Sequence, residues 1–424
     1  MSSLALSNYF CKMLKNTNDL NIEDFDYSLP SDRIAQKPLV KRDISKLLIA
    51  DNKNIGSDVF ENISNYLPSN SMLIFNDTKV IRARLVFFKE TGARIEVFLL
   101  EPFEPTKEIN LAFQQRGEVV WKAYVGNAKK WKTGNLKLQF EHKSKVLSLK
   151  AEKLNAIEDT FLVKLEWDED LSFSEVLEKV GKIPLPPYMK RKSTKDDSIR
   201  YQTVYAKNEG SVAAPTAGLH FTDKVFESLK SKNIKSEFVS LHVGAGTFKP
   251  VSTSSIAEHE MHIEKIIIKK SFIQNLKTHL PKNIIAVGTT SCRSLESMFW
   301  FGVQLIQNPI VSEFDIKQWD PYKLADFAED ISLKQSLEAI LEYLEKNNLL
   351  ELKGQTQLMI IPNYKFRVID KLITNFHQPK STLLLLVSAF YGDKWKQAYN
   401  YALENDFRFL SYGDSCLFSK KRQK

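Results

Sequence analysis

Between residues 72 and 167 the chain is cut into short apolar or alternating stretches: 72–75, 94–100, 119–125, 136–140 and 161–167. Period-two alternation puts one side of a segment in a core and the other in water, as a half-buried strand requires. Asn-Asp, Thr-Gly and Asn turn signals separate the stretches, so the block predicts a small antiparallel β-barrel or sandwich. After Pro184-Leu185-Pro186-Pro187 the pattern changes. Strand-like runs at 238–243, 284–287 and 371–375 alternate with helix-like runs, of which 221–230 and 333–345 are amphipathic. Such alternation predicts an α/β domain with a mixed sheet. Upstream, Leu29-Pro30-Ser31-Asp32 predicts a helix start and residues 47–50 a buried strand of the same domain. The expected organisation is an α/β domain from residues 21–75 and 181–418, with residues 76–180 inserted as a β-barrel. Residues 1–20 read as an N-terminal extension and 419–424 as a disordered basic tail.

The remaining global properties narrow the class. A chain of 424 residues is too long for one simple core. With 43% apolar and 26% charged residues it has the composition of a folded soluble protein. Its longest apolar run, around residues 383–387, is far short of a membrane span, and residues 1–9 lack a secretory pattern. Cys11, Cys292 and Cys416 are odd in number and widely spaced, which points to a reducing cytoplasm and away from disulfides or structural zinc. A net charge of +9 favours a polyanionic partner but also fits a plain lysine-rich surface.

Candidate chemistry concentrates in loops after strands. Residues 210–222 carry no charge after Gly210 and combine Ala213, Ala214, Pro215, Thr216, Ala217 and Gly218 with one imidazole, His220. Small side chains let a ligand lie close to backbone. Residues 241–248 present His242, Gly244, Gly246 and Thr247; Lys249 stands where a dinucleotide loop needs its third glycine, which leaves a ligand-facing glycine turn. Residues 258–262 (Glu-His-Glu-Met-His) miss the His-Glu-x-x-His spacing of zinc enzymes, so no metal site is expected and the segment reads as a polar edge of the substrate site. Gly288, Thr289, Thr290, Ser291, Cys292 and Arg293 follow an apolar strand and open a helix, where N–H groups and hydroxyls suit a carboxylate or phosphate. Cys292 there reads as buried and inert. Asn375, His377, Lys380 and Ser381 also follow a strand, with Ser381 placed to cap the next helix. Asp77, in an Asx-type turn, could orient a histidine or a ribose hydroxyl. Lys190, Arg191 and Lys192, beside Tyr188, fit an RNA backbone, as does the 129–132 stretch with Trp131.

Together these segments resemble the S-adenosylmethionine:tRNA ribosyltransferase-isomerase family of queuosine biosynthesis, from about residue 24 to residue 418. The marks are residues 24–27 (Asp-Phe-Asp-Tyr), 34–36 with Arg42-Asp43, 75–78, 200–205, 210–222, 242–248, 288–293, 374–382, and Phe409 with 411–414. The resemblance implies an α/β domain with an inserted β-barrel. It implies S-adenosylmethionine consumed as a ribosyl donor, with no separate cofactor, and a tRNA anticodon arm whose wobble base is a 7-aminomethyl-7-deazaguanine. The products would be epoxyqueuosine-tRNA, adenine and methionine. His220, His242 and His377 are then the candidates for proton transfer, with base and acid unassigned, and Arg293 or Lys380 suits the methionine carboxylate. The sequence departs from the family pattern at Gln355 and Gln357, where acids are usual, at Asn363, where glycine is usual, and in a longer 300–353 segment. These departures open two alternatives: a paralogue with another acceptor, or an RNA-binding module without catalysis.

Overall fold

The computed structural model describes residues 20–168, 170–242, 255–280 and 283–421. Among them a ten-stranded mixed sheet runs in the order Phe314–Ile316, Glu351–Thr356, Glu264–Lys269, Lys235–His242, Met72–Asn76, Ile284–Val287, Lys371–Asn375, Ser415–Ser419, Lys46–Ala50 and Ile55–Val59. Met72–Asn76 pairs in parallel with Lys235–His242 on one side and Ile284–Val287 on the other, and Ile284–Val287 pairs in parallel with Lys371–Asn375. Met72–Asn76 and Ile284–Val287 are buried along their whole length, so they read as unbroken apolar runs rather than alternating ones. The parallel pairing sends four carboxyl ends to one edge of the sheet. Ser415–Ser419 runs antiparallel to Lys371–Asn375, so the turn before it arrives at that same edge. The strand order reverses about Met72–Asn76, and such a switch point leaves a crevice beyond the strand ends.

Six further strands form a separate antiparallel sheet in the order Arg84–Phe88, Arg94–Glu104, Glu118–Gly126, Thr160–Trp167, Lys145–Ile157 and Leu136–His142. The two end strands touch, which makes the sheet a nearly closed barrel around Phe87, Trp121, Leu149 and Val163. Arg84–Phe88 and Lys145–Ile157 were not among the sequence-predicted strands. The second alternates weakly and is largely exposed over its last turns of pleat, so its apolar signal is thin. Thr78–Val80 and Asn208–Ser211 form a short parallel ladder where the chain enters and leaves the region of this sheet.

Helix Thr289–Gln307 packs on one face of the large sheet and helix Leu333–Lys346 covers it. The latter is the helix-like run of the longer 300–353 segment, and it opens with a Ser332/Gln335 capping box. The two helices approach most closely at Gly302, where a Cβ would lie 2.4 Å from the Ser336 carbonyl oxygen. One expectation needs correction and one holds. Leu29-Pro30-Ser31-Asp32 leads only into one 3-10 turn, Ser31–Arg33, without a side-chain cap. The Asx-type turn expected after Met72–Asn76 is present: Asn76 Oδ1 accepts the Thr78 N–H at 3.1 Å.

Gly302→Ala should force the two helices apart and lower unfolding free energy by about 2 kcal/mol, the usual cost of overpacking. A denaturant titration checks this, and a wild-type midpoint would show that the helices separate freely.

Candidate active site

A cavity of about 440 Å³ opens at the edge where the strands end. One wall is the backbone and small side chains of Ala213, Ala214, Pro215, Thr216 and Ala217. Gly288 forms the next side. Its φ of +93° lets the chain turn from strand Ile284–Val287 into helix Thr289–Gln307. The N–H groups of the first helical turn have no partner within the helix and lie at its positive end. A third side comes from residues 374–383, which follow strand Lys371–Asn375. There Ser381 Oγ accepts the Leu384 N–H at 3.3 Å and caps helix Thr382–Tyr391, as its sequence position predicts.

Two of the buried polar atoms in this lining, on Arg293 and Asn375, have no hydrogen-bond partner among the described residues. Arg293 is 5% exposed; its Nη1 lies 3.0 Å from Glu264 Oε2 and its Nε donates to the Leu358 carbonyl, while Nη2 bonds nothing. Asn375 is 2% exposed; its Nδ2 faces His220 Nε2 at 3.1 Å and the carbonyls of Leu410 and Asp414, while Oδ1 is unpartnered. An unsatisfied donor and acceptor, each costly to bury, in one cavity mark where a ligand's polar groups fit. Glu264 was missed in the sequence. It is in phase with the buried Ile266 and Ile268, and an acid on the core face of a strand is a readable signal for an ionic partner.

The three histidines occupy three different settings. His220 is buried against Phe60, with ring centroids 5.1 Å apart. The two carbonyls facing Asn375 Nδ2 identify that atom as the donor, so His220 Nε2 accepts and its Nδ1 carries the proton toward Ser45 Oγ at 2.8 Å. Burial, with the Arg408 charge adding and a hydrogen bond to the Arg42 backbone opposing, lowers its pKa to about 3. It is a neutral ring that fixes Asn375. His377 is half-buried and lines the cavity; its Nε2 sits 2.9 Å from Thr374 Oγ1, and its backbone is held by Tyr399 and Tyr27. Burial lowers its pKa as well.

His242 is elsewhere. It lines a second cavity of about 670 Å³, together with Asp77, Asn208, Ser240 and Gln355. Gly210, at φ +142°, makes room for its ring: a Cβ there would lie 2.4 Å from His242 Nδ1. Burial and then Lys265 lower the His242 pKa to about 4. Asp77 accepts from Ser240 Oγ at 2.6 Å and from Asn208 Nδ2, and orients neither a histidine nor anything in the first cavity.

Several other expected site residues also move. Gly218 is small because Tyr205 packs on it; a Cβ would lie 1.9 Å from the Tyr205 hydroxyl. Ser291 bonds back to the Val287 carbonyl at the end of the preceding strand. Lys380 lines the cavity, but its ammonium pairs with Glu23 at 2.6 Å and Asp26 at 3.3 Å. Arg191 is committed to a bidentate pair with Asp197, both contacts at 2.7 Å, while Lys190 and Lys192 are exposed. Residues 258–262 do not line the first cavity; Met261 and His259 are stitched to Gln318. Cys292 is buried and its thiol pKa is raised by burial, as an inert cysteine's would be. Gly244, Gly246 and Thr247 lie outside the described residues. Among the described residues no group of three or more His, Cys, Asp or Glu could hold a metal ion, and no helix is long and apolar enough to cross a membrane.

An α/β sheet with a small-residue cavity at its strand ends, beside a barrel-like sheet, is the setting of a ligand-transforming enzyme. A family model described as queuosine biosynthesis protein matches residues 22–418, and the chain belongs to that family. It is 38% identical over 410 residues to the S-adenosylmethionine:tRNA ribosyltransferase-isomerase of Halothermothrix orenii, covering 94% of this chain and 99% of the relative. The enzyme of the same name from Azoarcus sp. is 35% identical, covering 95% of this chain and 98% of the relative. The crystal structure of S-adenosylmethionine tRNA ribosyltransferase from Thermotoga maritima is 27% identical, covers 93% of this chain and 99% of that one, and aligns with a TM-score of 0.43.

The neutral His220 makes stability depend on acid. Its folded pKa lies below the ordinary 6.5, so the unfolded chain binds the extra proton; its contribution is complete above pH 6.5 and falls as pH drops toward 3. His220→Gln should therefore lose its stability deficit relative to wild type by about 2 kcal/mol between pH 6.5 and 4.5. Denaturant curves at the two pH values test this; a constant deficit would mean that the folded ring takes up its proton as the unfolded one does.

Proposed function

We propose that this chain transfers and isomerises the ribosyl group of S-adenosylmethionine onto the aminomethyl group of a 7-deazaguanine at the tRNA wobble position. Epoxyqueuosine-tRNA, adenine and methionine are the products. The observation that carries the reading is the cavity, with its 213–217 wall, its helix start and its two unpartnered buried groups, in a chain alike in full length to enzymes of that name. The donor's adenosine lies against the small-residue wall. Its methionine carboxylate takes Arg293 Nη2 and the N–H groups of Thr289 and Thr290. Its ammonium takes Asn375 Oδ1.

The sulfonium acidifies the ribose carbon bonded to sulfur, so a base can remove a proton there. Adenine then departs with a proton, and the acceptor amine attacks the ribose-derived carbons. His377 is the histidine best placed for this traffic, since it is neutral, reaches the cavity and is held by Thr374. His220 acts by positioning Asn375. S-adenosylmethionine is spent as substrate, and a tRNA substrate supports a cytoplasmic location.

The departures from the family pattern lie away from this cavity. Gln355 lines the second cavity, and Gln357 Nε2 donates to the Met261 carbonyl at 3.0 Å. Asn363 adopts φ +75°, a left-handed conformation that asparagine tolerates better than other residues with a side chain, so it replaces glycine without moving the turn. These placements favour the family's own acceptor over an altered one.

Adenine release from S-adenosylmethionine should require tRNA carrying the 7-aminomethyl-7-deazaguanine base. Tight tRNA binding without release would indicate the binding module, and release that needs another acceptor the paralogue. His377→Asn should lower turnover at saturating substrates by about 100-fold, the usual scale of general acid–base catalysis, with donor affinity retained. Near-normal turnover would remove His377 from proton transfer. Ala217→Leu should abolish donor binding by calorimetry while circular dichroism stays unchanged; unaltered affinity in the folded variant would empty the cavity of its assigned ligand.

A further inference from the structure

Beside the cavity, on the far side of His220 and Ser411, the surface dips into a shallow depression lined by Arg42, Arg200 and Arg408. Ser411 lines both the depression and the cavity, so one layer of side chains separates them. The charges here are poorly neutralised. Arg42 gives its guanidinium to the carbonyls of Gln202 and Ile199, at 2.5 and 3.1 Å. Arg200 gives its own to the carbonyls of Val40 and Leu39. A carbonyl satisfies a donor without cancelling its charge. Burial and then the neighbouring Arg200 lower the Arg42 pKa, so the two cations feel each other. Arg408 has a carboxylate nearby, Asp414 at 3.6 Å, and Asp196 acts on Arg42; Asp43 of the same loop accepts from Thr222 Oγ1, and Asp197 is paired with Arg191. Lys37 and Lys41 stand exposed on the same loop as Arg42.

The surface is also held rigid. Asp197 is 2% exposed and accepts from Arg191, from the Thr194 N–H and from the Tyr412 hydroxyl. Burial pushes its carboxyl up, but Arg191 and the other donors outweigh that and hold it down at about 2. This buried carboxylate ties the short helix Asp197–Arg200 to residues 191–194 and to Tyr412. The arginines, each half-buried, therefore line the depression on a fixed frame. Between them sit exposed apolar side chains, Val40 at 90% and Ile199 at 70%. Solvated charge needs no such neighbours. Unstacked bases and riboses do, whereas the outside of a paired helix presents phosphates and grooves.

We infer that the loop 37–44, helix Asp197–Arg200 and Arg408 form the surface that grips the single-stranded RNA backbone next to the modified nucleotide, with phosphates on the cations and sugars or bases on Val40 and Ile199. The inference rests on the tRNA reading and names the face of the molecule that carries it.

Fluorescence anisotropy with tRNA over a range of salt concentrations tests it. Lys37→Ala with Lys41→Ala should weaken tRNA binding and reduce the slope of log affinity against log salt by about 1.4, at roughly 0.7 per single-strand contact. Lys334→Ala with Lys346→Ala, the same charge change on exposed positions of helix Leu333–Lys346, should leave both nearly unchanged. Arg200→Gln should add to the loss. Val40→Ser should weaken binding without altering the slope. A fully paired RNA duplex should compete poorly with tRNA. Equal losses from the two lysine pairs, or equal competition by duplex, would overturn the assignment. Calorimetry with S-adenosylmethionine guards against misfolding, since the Lys37/Lys41 variant should bind it as wild type does. Adenine release independent of tRNA, with this face still gripping RNA, would remove the catalytic reading and leave the surface standing. Wild type that binds no tRNA would remove both, and capture of a protein by this face with RNA binding intact in the variants would replace the RNA with a protein partner.

Discussion

The side chain of Asn375 joins three loops at one edge of the large sheet. It ends a central strand, donates to the carbonyls of the 410–414 turn, and meets His220 at the end of the 3-10 helix Thr216–His220. His220 in turn reaches Ser45, just before strand Lys46–Ala50. A buried amide with two donors and two lone pairs has little freedom once its donors are spent. Its remaining oxygen must face the cavity. The shape of the site therefore follows from hydrogen-bond satisfaction inside the sheet edge, and the ligand meets a group whose direction is already fixed.

Arg293 obeys the same logic with charge added. Its guanidinium and the Glu264 carboxylate are both almost fully buried, which is tolerable only because they neutralise each other. The pair brings helix Thr289–Gln307 against strand Glu264–Lys269. A lysine in place of Arg293 could balance the charge but not present a second planar N–H edge. The cavity thus combines a fixed acceptor, a fixed donor and a helix start on three different elements, and preorganisation of this kind lowers the cost of ordering a flexible ligand.

Much of this was legible in the chain. The buried strands 284–287 and 371–375 were readable because both faces of each are covered, and the cap at Ser381 because serine before an apolar run has one favoured use. The 213–217 wall was readable from its small residues. What misled was chemistry that looks alike in sequence and differs in space. Gly218 and Ala217 are neighbours, yet one meets Tyr205 and the other the ligand cavity. His220 and His242 both follow ordered segments, but they fall to different cavities. Lys380 and Arg191 looked like free cations because their acids, Glu23, Asp26 and Asp197, are placed by tertiary packing. Local pattern records which face of an element is buried, and says little about which distant group arrives there.

The pairing of Met72–Asn76 sets an order of events during synthesis. Both of its neighbours, Lys235–His242 and Ile284–Val287, emerge long after it, with the whole six-stranded sheet translated in between. That sheet pairs mostly with its own near neighbours in sequence, so its contacts close short loops and form early. An apolar central strand must meanwhile wait, exposed, until the later strands leave the ribosome. The barrel-like sheet closes the shorter loops, and the ladder of Thr78–Val80 and Asn208–Ser211 joins its two ends.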